Sequence, residues 1–225
     1  MKEATVSPTL TSEKYLIDGP VGQIEVVVDL PPAELQRKGM VICCHPHPVH
    51  GGAMTNKVIH TVARTIAEMG LAAVRFNFRG VGKSAGEYDE GQGERDDLRA
   101  VIAWAQTQWP DYTLWLSGFS FGSYIAAMIA HEYELAQLIS IAPPVHRFDF
   151  SDFVHPGCHW LVVMGDADEV VDFDGVEEWI TSLLPAPEFV VMESAGHFFH
   201  GRLLDLKAEL ESHLSFECEQ LEKLC

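Results

Sequence analysis

The sequence predicts an α/β fold, a mostly parallel twisted sheet of eight strands with helices on both faces. Short apolar, β-branched stretches alternate with segments of helical period along all 225 residues. Interior stretches such as Met40-Val-Ile-Cys-Cys44 and Trp160-Leu-Val-Val-Met164 show no polar alternation, as strands covered on both faces require. Parallel strands of one sheet are joined by right-handed crossovers, which distributes the helices over its two faces. With 47% apolar and 21% charged residues and no linker-like run, residues 1–225 read as a single domain. A chain of this length buries roughly 70% of its unfolded surface and needs no disulfide or metal to hold a core.

The elements follow in order. Lys14 to Asp18 and Gln23 to Leu30 form a hairpin around Asp18-Gly19-Pro20. Met40 to Cys44 is the third strand. Val58, Ile59, Val62, Ile66 and Met69 fall at helical spacing within Met54 to Met69, and Gly70 stands where a C-terminal cap belongs. Strand Ala72 to Phe78, helix Arg95 to Gln108, strand Thr113 to Ser117 and helix Gly122 to His131 come next. Strands Ala136 to Ile141 and His159 to Met164, helix Val176 to Leu184, strand Glu188 to Glu193 and helix Leu203 to Leu214 complete the chain. Between the sixth and seventh strands only Pro143 to Gly157 intervene, 15 residues, too few for a cap domain.

The net charge of −18 disfavours phosphate backbones and anionic lipid, so no nucleic-acid or membrane partner is expected, and neutral or cationic ligands are favoured. Nowhere do 18 apolar residues run together, and Met1 to Thr11, with Glu3 and Pro8, do not read as a signal peptide. The five cysteines, Cys43, Cys44, Cys158, Cys218 and Cys225, are odd in number and lack a C-x-x-C spacing, which fits reduced thiols in the cytoplasm.

In parallel sheets ligands sit at the carboxyl ends of strands, so the segments just after each strand are where chemistry belongs. After the fifth strand comes Gly118-Phe-Ser-Phe-Gly122, then an apolar helix: G-x-S-x-G in a strand–turn–helix setting. Such a turn exposes Ser120 at the top of the sheet and aims the Phe121 N–H at the same point, where it can hold an oxyanion. A nucleophilic serine needs a histidine as base and a carboxylate to orient it. Candidates follow the next strands: Asp166, Asp168 and Asp172 after Met164, then His197, with His200 three residues on. A second oxyanion donor belongs to the loop after the third strand. Pro46 and Pro48 have no N–H, which leaves His45, His47 or Val49.

The segments His45-Pro-His-Pro-Val-His-Gly-Gly52, Arg75-Phe-Asn-Phe-Arg-Gly-Val-Gly82, Gly118 to Gly122, Gly165-Asp-Ala-Asp168 and Gly196-His197 stand in the order of a known superfamily. The chain resembles small α/β-hydrolases of the dienelactone-hydrolase-like and prolyl-peptidase-like branch. It departs from dienelactone hydrolase, whose nucleophile is cysteine. The resemblance implies the α/β-hydrolase fold without a cap domain and a triad of Ser120, His197 and, from the Gly-x-x-Asp pattern, Asp168. It also implies His47 as the second oxyanion N–H, and a serine hydrolase acting on small to medium acyl esters without a cofactor. A peptidase, an acyltransferase or a non-catalytic scaffold could use the same framework.

Other patterns are set aside. The run Asn77 to Ser84 lacks the first glycine of a phosphate loop. Gly80 to Ala85 matches a loose dinucleotide pattern but opens no helix, and is read as a loop near the pocket rim. His45, His47 and His50 lack the partners of a closed zinc site, so no metal is expected. Cys43 and Cys44 read as buried hydrophobes close to the site. Phe148, Phe150 and Phe153 suit a pocket wall and ordinary core equally.

Overall fold

The computed structural model describes residues 9–224; Met1 to Pro8, part of the stretch read as carrying no signal peptide, and Cys225 lie outside them. The strands are β1 (Thr11–Gly19), β2 (Gly22–Leu30), β3 (Gly39–Cys44), β4 (Ala72–Phe76), β5 (Thr113–Phe119), β6 (Leu135–Ile141), β7 (His159–Gly165) and β8 (Glu188–Met192). They form one sheet in the order β1-β2-β4-β3-β5-β6-β7-β8. The hairpin β1–β2 is antiparallel and β2 joins β4 antiparallel, while β4, β3, β5, β6, β7 and β8 run parallel.

Among the described residues five α-helices complete the layers: α1 (Lys57–Glu68), α2 (Gln92–Gln108), α3 (Phe121–Ile129), α4 (Phe173–Ser182) and α5 (Leu203–Gln220). Successive strand residues face opposite sides, so Val41 and Ile42 enter different cores. On one side Val41, Trp115 and Leu161 meet Val62 and Ile66 of α1 and Leu206 and Leu210 of α5. On the other, Ile42, Leu116 and Val162 meet Leu98 of α2, Ile125 of α3 and Val176 of α4. The expected architecture is thereby met, with helices on both faces.

Several boundaries differ, for local reasons. Helix α1 begins at Lys57 rather than Met54 because Asn56 Oδ1 accepts the Val58 N–H at 2.9 Å and caps it. Helix α2 begins before Arg95 because the Glu94 carboxylate accepts the N–H groups of Asp89 and Gly91 at 2.9 and 2.8 Å. Strand β4 ends at Phe76, not Phe78; the Phe78 N–H is taken by the His45 ring at 3.0 Å. Helix α5 runs past Leu214 because Cys218 continues the buried stripe of Leu206, Leu210 and Leu214.

From β3 the chain steps to β4 on one side, and β5 later joins β3 on the other. Such a reversal opens a crevice at the carboxyl ends of the strands. Residues 142–158, between β6 and β7, form neither helix nor strand, so no extra layer covers that crevice. Among the described residues no helix is long and apolar enough to cross a membrane.

Candidate active site

Ser120 sits between the last residue of β5 and the first of α3 with φ 52° and ψ −121°, a backbone conformation that costs a side-chain-bearing residue of order 1–3 kcal/mol. Two close approaches make the turn. A Cβ on Gly118 would lie 2.2 Å from the Gly122 carbonyl carbon, and one on Gly122 would lie 2.2 Å from the Cys44 carbonyl oxygen at the end of β3. Both glycines of G-x-S-x-G are therefore required by chain contact.

The loops after β7 and β8 are locked together. The Ala167 N–H donates to the Ala195 carbonyl at 3.1 Å, and a Cβ on Gly165 would lie 2.0 Å from that same oxygen. This brings Asp168 Oδ2 to 2.7 Å from His197 Nδ1, with side-chain exposures of 0% and 2%. His197 Nε2 lies 3.1 Å from Ser120 Oγ. The other Asp168 oxygen accepts the N–H groups of Val170 and Val171 at 2.8 and 2.7 Å, which fixes the carboxylate. The His197 ring lies against Phe119, the residue before Ser120, with centroids 4.9 Å apart.

The alternatives from the sequence lie elsewhere. Asp166 Oδ1 accepts the Ser194 N–H at 2.6 Å and serves the turn. Asp172 stands at the exposed start of α4, and His200 is exposed. Glu169 accepts the His197 N–H at 3.1 Å, so a second carboxylate holds the histidine's backbone.

Among the described residues no acceptor within the protein is bonded to the N–H of Phe121, first in α3, or to that of His47. The Val49 N–H donates to His47 Nδ1 at 3.2 Å. His47, Ser120 and His197 line a common cavity of about 300 Å³, with His50, Arg147 and Phe198 among its walls. A larger groove of about 620 Å³ beside β1 and β2, lined by Met54, His60 and Arg75, contains none of Ser120, Asp168 and His197.

His45 is turned into the protein. Its Nδ1 donates to the Pro46 carbonyl at 2.6 Å and its Nε2 accepts the Phe78 N–H at 3.0 Å, tying the end of β3 to the segment after β4. Both nitrogens of the neutral ring are used, so His45 is available neither to a metal nor to the cavity. Burial pushes its pKa down to about 4. Between pH 6.5 and 4 the unfolded chain takes up a proton that the folded protein refuses, so this contribution to stability is complete above pH 6.5 and lost as pH falls toward 4. Urea unfolding should therefore show about 2 kcal/mol less stability at pH 5 than at pH 7 from this group, a slope absent in His45→Gln.

Burial also holds the thiols of Cys43 and Cys44 well above their ordinary pKa, which leaves them unreactive. Residues 80–85, read as a loop near the pocket rim, do not line the cavity. They turn back onto β2, where the Glu25 carboxylate accepts the Lys83 N–H at 3.0 Å. Phe150 and Phe153 pack on Trp179 with centroids 4.9 and 5.7 Å apart and are core. Phe148 lies over Tyr124 at 4.8 Å and behind His47 at 6.0 Å.

A family model described as serine aminopeptidase, S33, matches residues 47–149, which includes Ser120 but neither Asp168 nor His197. A solved structure from Xanthomonas campestris, described as an α/β serine hydrolase without lid, is 47% identical, with 92% of this chain and 94% of that one covered and a TM-score of 0.89. An α/β serine hydrolase homologue from Coxiella burnetii is 49% identical over 92% of this chain and 99% of its own, with a TM-score of 0.87. An uncharacterized protein of Rickettsia prowazekii is 30% identical over 207 residues, 88% of this chain and 86% of its own length.

Proposed function

The chain belongs to the α/β serine hydrolases, and on that premise we propose that it is a carboxylesterase acting on small to medium acyl esters through Ser120, His197 and Asp168. The observation that carries the reading is the unbroken relay from Asp168 through His197 to Ser120, with contacts of 2.7 and 3.1 Å at the mouth of a cavity. His197 Nε2 takes the proton of Ser120 as Oγ attacks the ester carbonyl carbon, and Asp168 holds the resulting imidazolium. The N–H groups of Phe121 and His47 receive the oxyanion. His197 returns the proton to the departing alkoxide, and a water molecule, activated by the same imidazole, cleaves the acyl-enzyme.

An ester rather than an N-terminal peptide is favoured by the cavity wall. An aminopeptidase must hold the substrate's α-ammonium, for which a carboxylate is the natural partner. Among the described residues lining the cavity there is no Asp or Glu. The unpaired thiols of Cys43, Cys44, Cys158 and Cys218 support the cytoplasmic location expected from composition.

The test is turnover of a p-nitrophenyl acyl ester series beside the p-nitroanilides of single amino acids. Ester hydrolysis with an optimum at short to medium acyl length is the expected result. Faster release from the anilides would move the protein to the peptidases. No turnover of either series, in protein shown to be folded, would leave only a scaffold.

A further inference from the structure

The acid-free wall of the cavity holds a cation, Arg147, that no carboxylate among the described residues pairs with. Arg147 comes from the connection between β6 and β7 and lines the cavity together with Ser120 and His197. Its Nε donates to the Val170 carbonyl at 2.9 Å, which anchors the base of the guanidinium. Among the described residues neither terminal nitrogen has a protein partner. Every other described arginine either pairs with a carboxylate or, as with Arg37 and Arg95, bonds through its terminal nitrogens. In a chain with 33 Asp and Glu against 15 Lys and Arg, an arginine left without a carboxylate beside the nucleophile is a local reversal of the overall charge.

The surroundings reinforce that reversal. His47 and His50 stand on the same wall, and helices α1 and α3 both begin there, at Asn56 and Ser120, with their positive ends toward the cavity. At a distance the net charge of −18 favours neutral or cationic ligands. Within contact range the wall governs instead, because the screening length at physiological salt is about 8 Å. A planar guanidinium with two free N–H₂ groups matches a carboxylate bidentately.

We propose that Arg147 determines specificity, and that the ester this site takes carries a carboxylate on its acyl or its alcohol portion. The inference rests on the esterase reading of the same site. One arm of the test compares mono-p-nitrophenyl adipate with p-nitrophenyl hexanoate, which places the carboxylate on the acyl side. The other compares 4-acetoxybenzoate with phenyl acetate, which places it on the leaving group.

In at least one arm the native protein should favour the charged ester in kcat/KM. That charged-to-neutral ratio should fall about tenfold in Arg147→Gln and be largely retained in Arg147→Lys. Arg64→Gln, which removes the same charge from the exposed face of α1, should leave the ratio where it was. Native protein without a preference in either arm overturns the proposal, as does an equal loss in Arg64→Gln. If no ester is turned over, the esterase reading fails. Arg147 is then judged by calorimetric binding of adipate to Ser120→Ala, where binding unchanged by adding Arg147→Gln, or not detected at all, overturns the proposal.

Discussion

Ser120→Ala is expected to lower kcat by about 10⁶-fold and to abolish covalent labelling by a fluorophosphonate probe. The size follows from the chemistry: without Oγ no acyl-enzyme forms, and what remains is whatever the oxyanion donors achieve with water alone. The fold should be unaffected, because among the described residues Ser120 Oγ hydrogen-bonds only to His197, and alanine keeps the Cβ that the turn already tolerates. Unchanged urea unfolding beside lost labelling is the diagnostic pair. Undiminished labelling would move the reactive serine elsewhere and remove the premise of the relay.

The second large effect belongs to Asp168→Asn, expected to lower kcat by about 10⁴-fold. The structure says how the amide would sit. One oxygen of Asp168 accepts the N–H groups of Val170 and Val171 at 2.8 and 2.7 Å, so an asparagine would keep its carbonyl there and turn its N–H₂ toward His197 Nδ1. That nitrogen would then have to accept, which moves the ring proton to Nε2, facing Ser120. A histidine protonated on that side cannot take the serine's proton. Thermal unfolding separates this from simple misfolding, since it should stay cooperative and unshifted while kcat falls. A loss under tenfold would show that another carboxylate orients the ring.

The architecture was legible because the parallel strands are covered on both faces and therefore read as bare apolar runs, each followed by helical spacing. That Ser120, Asp168 and His197 come together was legible because each stands just after such a strand. Less was readable wherever a side chain, rather than periodicity, sets the outcome. The early start of α2 depends on Glu94 folding back on Asp89 and Gly91, and the early end of β4 depends on the His45 ring. Glu169 and Arg147 were passed over for a different reason. A charged residue in a loop looks solvated in sequence, and only the docking of the β7 and β8 loops puts Glu169 under His197. Arg147 reaches the cavity through an irregular connection with no period to place it. The aromatic residues near it divide on geometry alone: Phe150 and Phe153 find Trp179, while Phe148 backs the His47 ring.

The connection through residues 142–158 adds no roof above Ser120. Under the proposed function, an ester is gripped at one end only and its remainder projects into solvent. On the same reading, discrimination resides in the few groups that line the cavity beside Ser120, Arg147 and His47 foremost, while bulk farther out on the ligand goes unread. Such a site trades tight affinity for tolerance of large departing groups.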